Sequence, residues 1–174
     1  MRLTPLLFAF AALPVLAADP KPEIGRAAAA AQAVGAAHTL RTIPEACARI
    51  EGVFTGRAAD PYEFSVVRTS PRCQARAVLA DAVRIKPSPA TGWILNDLVR
   101  VPSAACPSRE AVVEVWRKPA ANGGPELDTQ GAVRVYLDDQ TQRAASVGKR
   151  SAIAKFAVAM SVQGEPCDQP VGSR

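Results

Sequence analysis

One histidine, two tryptophans and two tyrosines are all that 174 residues hold of those types, and each shortage closes a class of function. A zinc framework needs three or four His, Cys or acidic ligands at recognisable spacing. Here His38 stands alone in an Ala-rich stretch, where it reads as an exposed loop residue, and the cysteines lie 26, 33 and 61 residues apart. A Ser-His-acid site would have to recruit that same His38, and the strained Gly-x-Ser-x-Gly elbow is missing. Walker and dinucleotide phosphate cradles are absent as well, so no metal and no cofactor is expected. Neither Asn96 nor Asn122 heads an N-x-Ser/Thr sequon.

Long apolar runs are equally scarce. The most hydrophobic stretch is the first 16 to 18 residues, and Pro5 and Pro14 interrupt it. A membrane span needs about 20 apolar residues. Met1 and Arg2 followed by the run Leu6 to Leu13 and small residues at Ala17 and Ala18 form the anatomy of a secretory leader, residues 1–18. No cysteine follows the cut to carry a lipid, and a single Arg favours the general export route over the twin-Arg one. The expected location is therefore periplasmic or secreted. The richness in Ala and Arg fits a bacterial envelope protein of a high-GC genome.

The large apolar side chains are fewer than a 48% hydrophobic content implies, because 34 of the 84 residues so counted are alanine. Beyond the leader, 156 residues carry 17 Val, 6 Leu, 6 Ile and 3 Phe, 32 in all. That fraction sits just above the roughly 20% below which charged chains tend to be disordered. One modest domain remains feasible, since a chain of this size buries roughly 68–70% of its unfolded surface. The four cysteines, Cys47, Cys73, Cys106 and Cys167, all follow the leader, and an even count in an oxidising compartment points to two disulfides. Of three pairings, Cys47 with Cys73 and Cys106 with Cys167 is the one expected. Each would contribute roughly 3–4.5 kcal/mol through loop-closure entropy, a large share of a typical net stability of about 5–15 kcal/mol.

Residues 19–41 are Ala-rich without an apolar stripe, and read as a loose helix or linker. The single domain is expected over 42–167, with a flexible tail at 168–174. It opens on a short helix, with Pro44 and Glu45 in its first turn and Cys47, Ile50 and Val53 at helical spacing. After that the period becomes two and valine takes over. Strands are predicted at 62–69, 73–84, 92–101, 111–118 and 132–138, and a short polar helix between Asp139 and Gly148. Residues 152–162 fit a helix through Ile153, Phe156 and Met160, and a strand through Phe156, Val158, Met160 and Val162; the strand is adopted. The fold class is mainly β, bordering on α+β: an antiparallel meander of about six strands forming a sandwich or partial barrel.

Charge patterning is mild, with 20 basic and 16 acidic residues after the leader. Arg68, Arg76, Arg84, Arg100, Arg117 and Arg134 fall one or two to a strand with Glu63, Asp81, Asp97, Glu114 and Asp138 among them, the pattern of a solvated ion-pair ladder. A nucleic-acid binder clusters its positive charge on one patch or stripe, so nucleic acid is excluded as a partner. Ser146-Val147-Gly148-Lys149 matches a Ser-x-x-Lys string but lacks the Ser-Asp-Asn and Lys-Thr-Gly motifs that give that string its chemistry. Asp138 and Asp139 are adjacent on a strand and point to opposite faces, which rules them out as a glycosidase pair.

The constellation with chemical content comes from strand parity. With Val113 and Val115 inward, Glu114 and Trp116 face outward; with Val133, Val135 and Leu137 inward, Arg134 and Tyr136 face outward. A hairpin about Asn122-Gly123-Gly124-Pro125 sets Glu114 opposite Arg134 and brings Trp116 and Tyr136 to one outer face. Two aromatics beside an Arg on an exposed sheet are the composition of a binding hot spot. Trp116, Tyr136, Arg134, Glu114 and Arg76 are therefore the candidate binding residues, with no catalytic or metal residue among them. The expected function is an exported binding module, of inhibitor or accessory type, for a protein or cell-wall ligand. The alternatives are a small envelope hydrolase using acidic residues such as Glu114 with Asp138, and a structural envelope protein with no discrete site.

Overall fold

A computed structural model describes residues 19–120 and 153–167. It is a two-layer β structure. The first sheet contains β1 (His38–Ile43), β2 (Ala48–Phe54) and β3 (Tyr62–Arg68), antiparallel and in that order. The second contains β4 (Ala77–Asp81), β5 (Ile94–Pro102), β6 (Arg109–Lys118) and β7 (Ala154–Gly164), in the order β4-β7-β6-β5. The layers bury one core between them: Leu40, Ile43, Ile50, Phe54 and Tyr62 from the first sheet meet Val99, Val101, Val113, Val115, Phe156 and Val158 from the second. Both disulfides form with the expected pairing, Cys47–Cys73 and Cys106–Cys167.

The sandwich is open rather than a closed barrel, and its second sheet departs from a simple meander. β7 inserts between β4 and β6 and runs parallel to β4, pairing Ala77 with Ala154 and Asp81 with Val158. β7 is apolar on both faces where it is covered on both: Phe156 and Val158 face the core, while Ala157 is fully buried on the other side. That two-sided character is what makes 152–162 readable at either period.

The helix expected after Thr42 is not formed. Pro44–Ala46 makes a single 3-10 turn that ends at Cys47 in the left-handed region, φ 51°, and the chain then runs straight into β2. Ile50 and Val53 have helical spacing, but the inward set is Ala48, Ile50, Gly52 and Phe54. Two of those four are so small that they hide the alternation. The expected strand at 73–84 is shortened to β4, because Asp81 accepts from the Val83 amide at 2.9 Å and caps a one-turn helix, α1 (Ala82–Ile85).

The Ala-rich segment is neither helical nor loose. Residues 23–35 form an extended strap along the outer edge of β5, with backbone bonds from Glu23 to Leu95, Ile24 to Asn96, Ala29 to Arg100 and Gln32 to Pro102, each 2.9 Å. The strap then crosses to the first sheet, where Gly35 donates to Phe54 at 2.8 Å. An alanine segment with no large side chains gains little as an isolated helix; here its amides complete a strand edge that would otherwise be unpaired.

Candidate functional site

Each predicted binding residue can be placed, except two. Arg134 and Tyr136 lie outside the described residues, as do the 132–138 strand, the helix after Asp139 and the leader. Trp116 does face away from the inter-sheet core, as parity requires, but it is only 5% exposed. It packs with Trp93, Leu95, Ala82 and Ala157 in a second apolar cluster, covered by α1 and by the segment leading into β5. Its indole N–H donates to the Glu114 carboxylate at 3.0 Å. Trp116 is thus a core residue, and the exposed aromatic face expected around it is corrected accordingly. Glu114 is flanked by Leu98 on β5 and Ala159 on β7, so β6 has no free edge for the expected pairing with Arg134. Arg76 is exposed just before β4, and β7 stands between that strand and β6. His38 is not an exposed loop residue but part of β1. Its Nδ1–H donates to Ala36 O at 3.0 Å, which leaves Nε2 to accept from the Tyr62 hydroxyl at 2.7 Å. Tyr62 is fully buried, and burial pushes its phenol above the ordinary value.

Two clusters define the molecule's polar architecture, and the first overturns the solvated position expected for Asp97 in the ion-pair ladder. Asp97 is completely buried, and its Oδ2 meets Arg26 of the strap at 2.5 Å and Arg41 of β1 at 3.3 Å. One carboxylate therefore ties strap, first sheet and second sheet together. Glu23 makes a forked pair with Arg117, at 2.9 and 2.5 Å, and accepts from Asn96 at 2.9 Å. The bonds from Arg117 and then Asn96 hold its carboxyl at about 2, well below the usual carboxylate range.

The strap closes the β5 side of the sandwich; the opposite side is different. There β3 and β4, each the last strand of its sheet, flank a groove of about 640 Å³. Phe64 and Val66 form one wall, Leu79 and Val83 the other, and Val158 and Met160 the floor. Val66 is 47% and Val83 83% exposed. Asp81 is the one charged residue along it among the described residues. A smaller pocket, about 220 Å³, lies against the Cys106–Cys167 disulfide and is lined also by Phe54, Arg57 and Arg109.

The signal for the groove was present in the sequence as Tyr62, Phe64 and Val66 at period two; what parity could not show is that the cover over that face ends after Tyr62. No set of His, Cys, Asp or Glu that could hold a metal occurs among the described residues, and no helix among them is long and apolar enough to cross a membrane. Compared with protein-family models, curated proteins and solved structures, the chain matches none of them.

Proposed function

We propose that this chain is an exported binding module that takes an extended segment of a protein partner into the groove between β3 and β4. The observation that carries the reading is the groove itself: about 640 Å³ of mainly apolar lining, with Val66 and Val83 left largely in solvent, between two strand edges. Strand edges offer rows of backbone donors and acceptors, and adding a strand is a common way to recognise an extended peptide. The fold already uses that mode on its other side, where residues 23–35 lie along β5 through backbone bonds. Valine-sized side chains at alternate positions fit the walls, and Asp81 favours a Lys or Arg at one end of the segment. With Trp93 and Trp116 buried, the described surface presents no indole face to a sugar ring, so a protein segment is the better candidate than a glycan. Two disulfides and the leader-like start support export.

The test is hydrogen exchange on the full chain with and without a seven-residue peptide of alternating Val and Thr flanked by Lys. The expected result is new protection in β3 and β4, lost in Val66→Asp and Val83→Asp, with thermal stability changed by no more than about 0.5 kcal/mol as for exposed sites. Protection of both edges already in the free chain would overturn the reading, because the groove would then be filled from within the molecule. So would peptide protection that the two Asp substitutions leave intact.

A further inference from the structure

We propose that Cys106–Cys167 is a thiol-exchange site, opened by a dithiol that attacks Cys167 Sγ and expels Cys106 as thiolate, while Cys47–Cys73 remains a structural staple. The two bonds differ in surroundings. Cys73 is half-buried, but its partner Cys47 is 4% exposed, sealed where the turn meets β2; Cys106 and Cys167 are both half-buried, and both line the 220 Å³ pocket. An attacking thiolate needs such access.

The leaving group is also provided for. The backbone N–H of Cys167 points at Cys106 Sγ, 3.1 Å away. The Ser108 hydroxyl lies 3.3 Å from Cys167 Sγ and 3.5 Å from Cys106 Sγ, and in the closed bond it donates to Glu165 O at 3.1 Å. A thiolate is a far stronger acceptor than a disulfide sulfur, so the hydroxyl can turn from Glu165 O to Cys106 as negative charge develops. Arg109 lines the same pocket with its Nε buried and without a hydrogen-bond partner, which adds positive potential where the thiolate appears. Arg57 is also there, its charge shared with Asp60 and Glu63.

The exchange balances with a dithiol as reductant, either a small one or a protein dithiol of the Cys-x-x-Cys class. Its first sulfur bonds Cys167 as Cys106 departs. Its second sulfur then bonds the first, releasing Cys167; the two thiol protons pass to Cys106 and Cys167, and the dithiol ends as a disulfide. Opening the bond removes the covalent tie between Cys167 and the turn before β6, a crosslink that spans 61 residues.

The test is timed reduction of the native chain by dithiothreitol, quenched with an alkylating reagent and mapped by mass. Cys106 and Cys167 are expected to be alkylated at least about tenfold sooner than Cys47 and Cys73, with near-UV circular dichroism still native. Ser108 is exposed, so Ser108→Ala leaves the fold in place; it is expected to slow opening about three- to tenfold, by loss of one hydrogen bond to a charged acceptor, and Ser108→Thr to restore it. Equal rates at the two bonds, earlier opening of Cys47–Cys73, opening only on global unfolding, or an unchanged rate in Ser108→Ala would each overturn the proposal.

Discussion

The hydroxyl of Tyr62 occupies the space that a side chain on Gly52 would need: a Cβ at Gly52 would stand 1.9 Å from Tyr62 Oη. Gly52 lies on the inward face of β2 between Ile50 and Phe54, and the Tyr62 ring packs edge-on to Phe54 with centroids 4.7 Å apart. The glycine is therefore what admits a full tyrosine to the centre of the core and lets its hydroxyl reach His38. Gly52→Ala is expected to cost about 2–3 kcal/mol by overpacking, measured by urea unfolding. Adding Tyr62→Phe should recover only part of that loss, because Cζ would still lie 2.6 Å from the new Cβ. Full additivity of the two substitutions would refute the steric account.

Acid should loosen the strap before the sheets. The forked bond from Arg117 depresses the Glu23 carboxyl to about 2 in the fold, whereas the unfolded chain has the ordinary 4.5. A depressed carboxyl stabilises the fold fully above 4.5, and the contribution is lost as pH falls through that value towards 2. The pair is one-third exposed, so solvent screening reduces its worth to about 1 kcal/mol. Thermal unfolding at pH 6 and pH 2.5 should show Glu23→Gln to be less stable than the parent at pH 6 and nearly equal to it at pH 2.5. A constant gap at both values would show that the pair carries no such linkage.

Asp97 is the joint at which the strap is anchored to both sheets. Removing a buried partner strands the charges that faced it, and here Arg41 Nε would keep neither its carboxylate nor any hydrogen bond. Asp97→Ala is expected to cost about 2–4 kcal/mol and to expose the strap amides to hydrogen exchange. Arg26→Ala leaves Arg41 in place and should cost less, about 1–2 kcal/mol. If Arg26→Ala proved the more damaging of the two, the carboxylate would not be the centre of the cluster.

Asp97 also marks how far the sequence could be read. It occupies the same parity as Leu95, Val99 and Val101, so a charge in an apolar register was visible; grouping it with the solvent-facing acids missed what the register implied. A bulge in β5 between Leu95 and Asp97 adds to the difficulty, for it turns Leu95 to the Trp116 side while Asp97 keeps the core side. The strands at 62–69, 92–101, 111–118 and 152–162 were legible because valine and aromatics alternate strongly there. β1 was not, since a bulge between Thr39 and Arg41 puts its inward residues Leu40 and Ile43 three apart, nor was the strap, whose alanines carry no period and whose position is set by backbone bonds to β5. The even cysteine count pointed to two disulfides, and the expected pairing among the three possible is the one that forms, but which bond lines a pocket is a property of packing alone.

Trp116 separates burial from binding in a single experiment. The large ring fills the outer cluster against Trp93 and Leu95, so Trp116→Ala opens a cavity and is expected to cost about 3–5 kcal/mol. Glu114→Gln keeps an amide oxygen for the indole N–H and should cost under about 1 kcal/mol, as should any neutral acceptor of that reach. Trp116→Phe loses the hydrogen bond and part of the ring, which places it between the two. The groove of β3 and β4 shares Ala80, Ala82 and Ala159 with this cluster but is not lined by Trp116, so peptide protection there should survive Trp116→Phe at temperatures where the variant stays folded. An unchanged melting temperature for Trp116→Ala, together with lost peptide binding, would return Trp116 to the exposed recognition role and displace the groove from it.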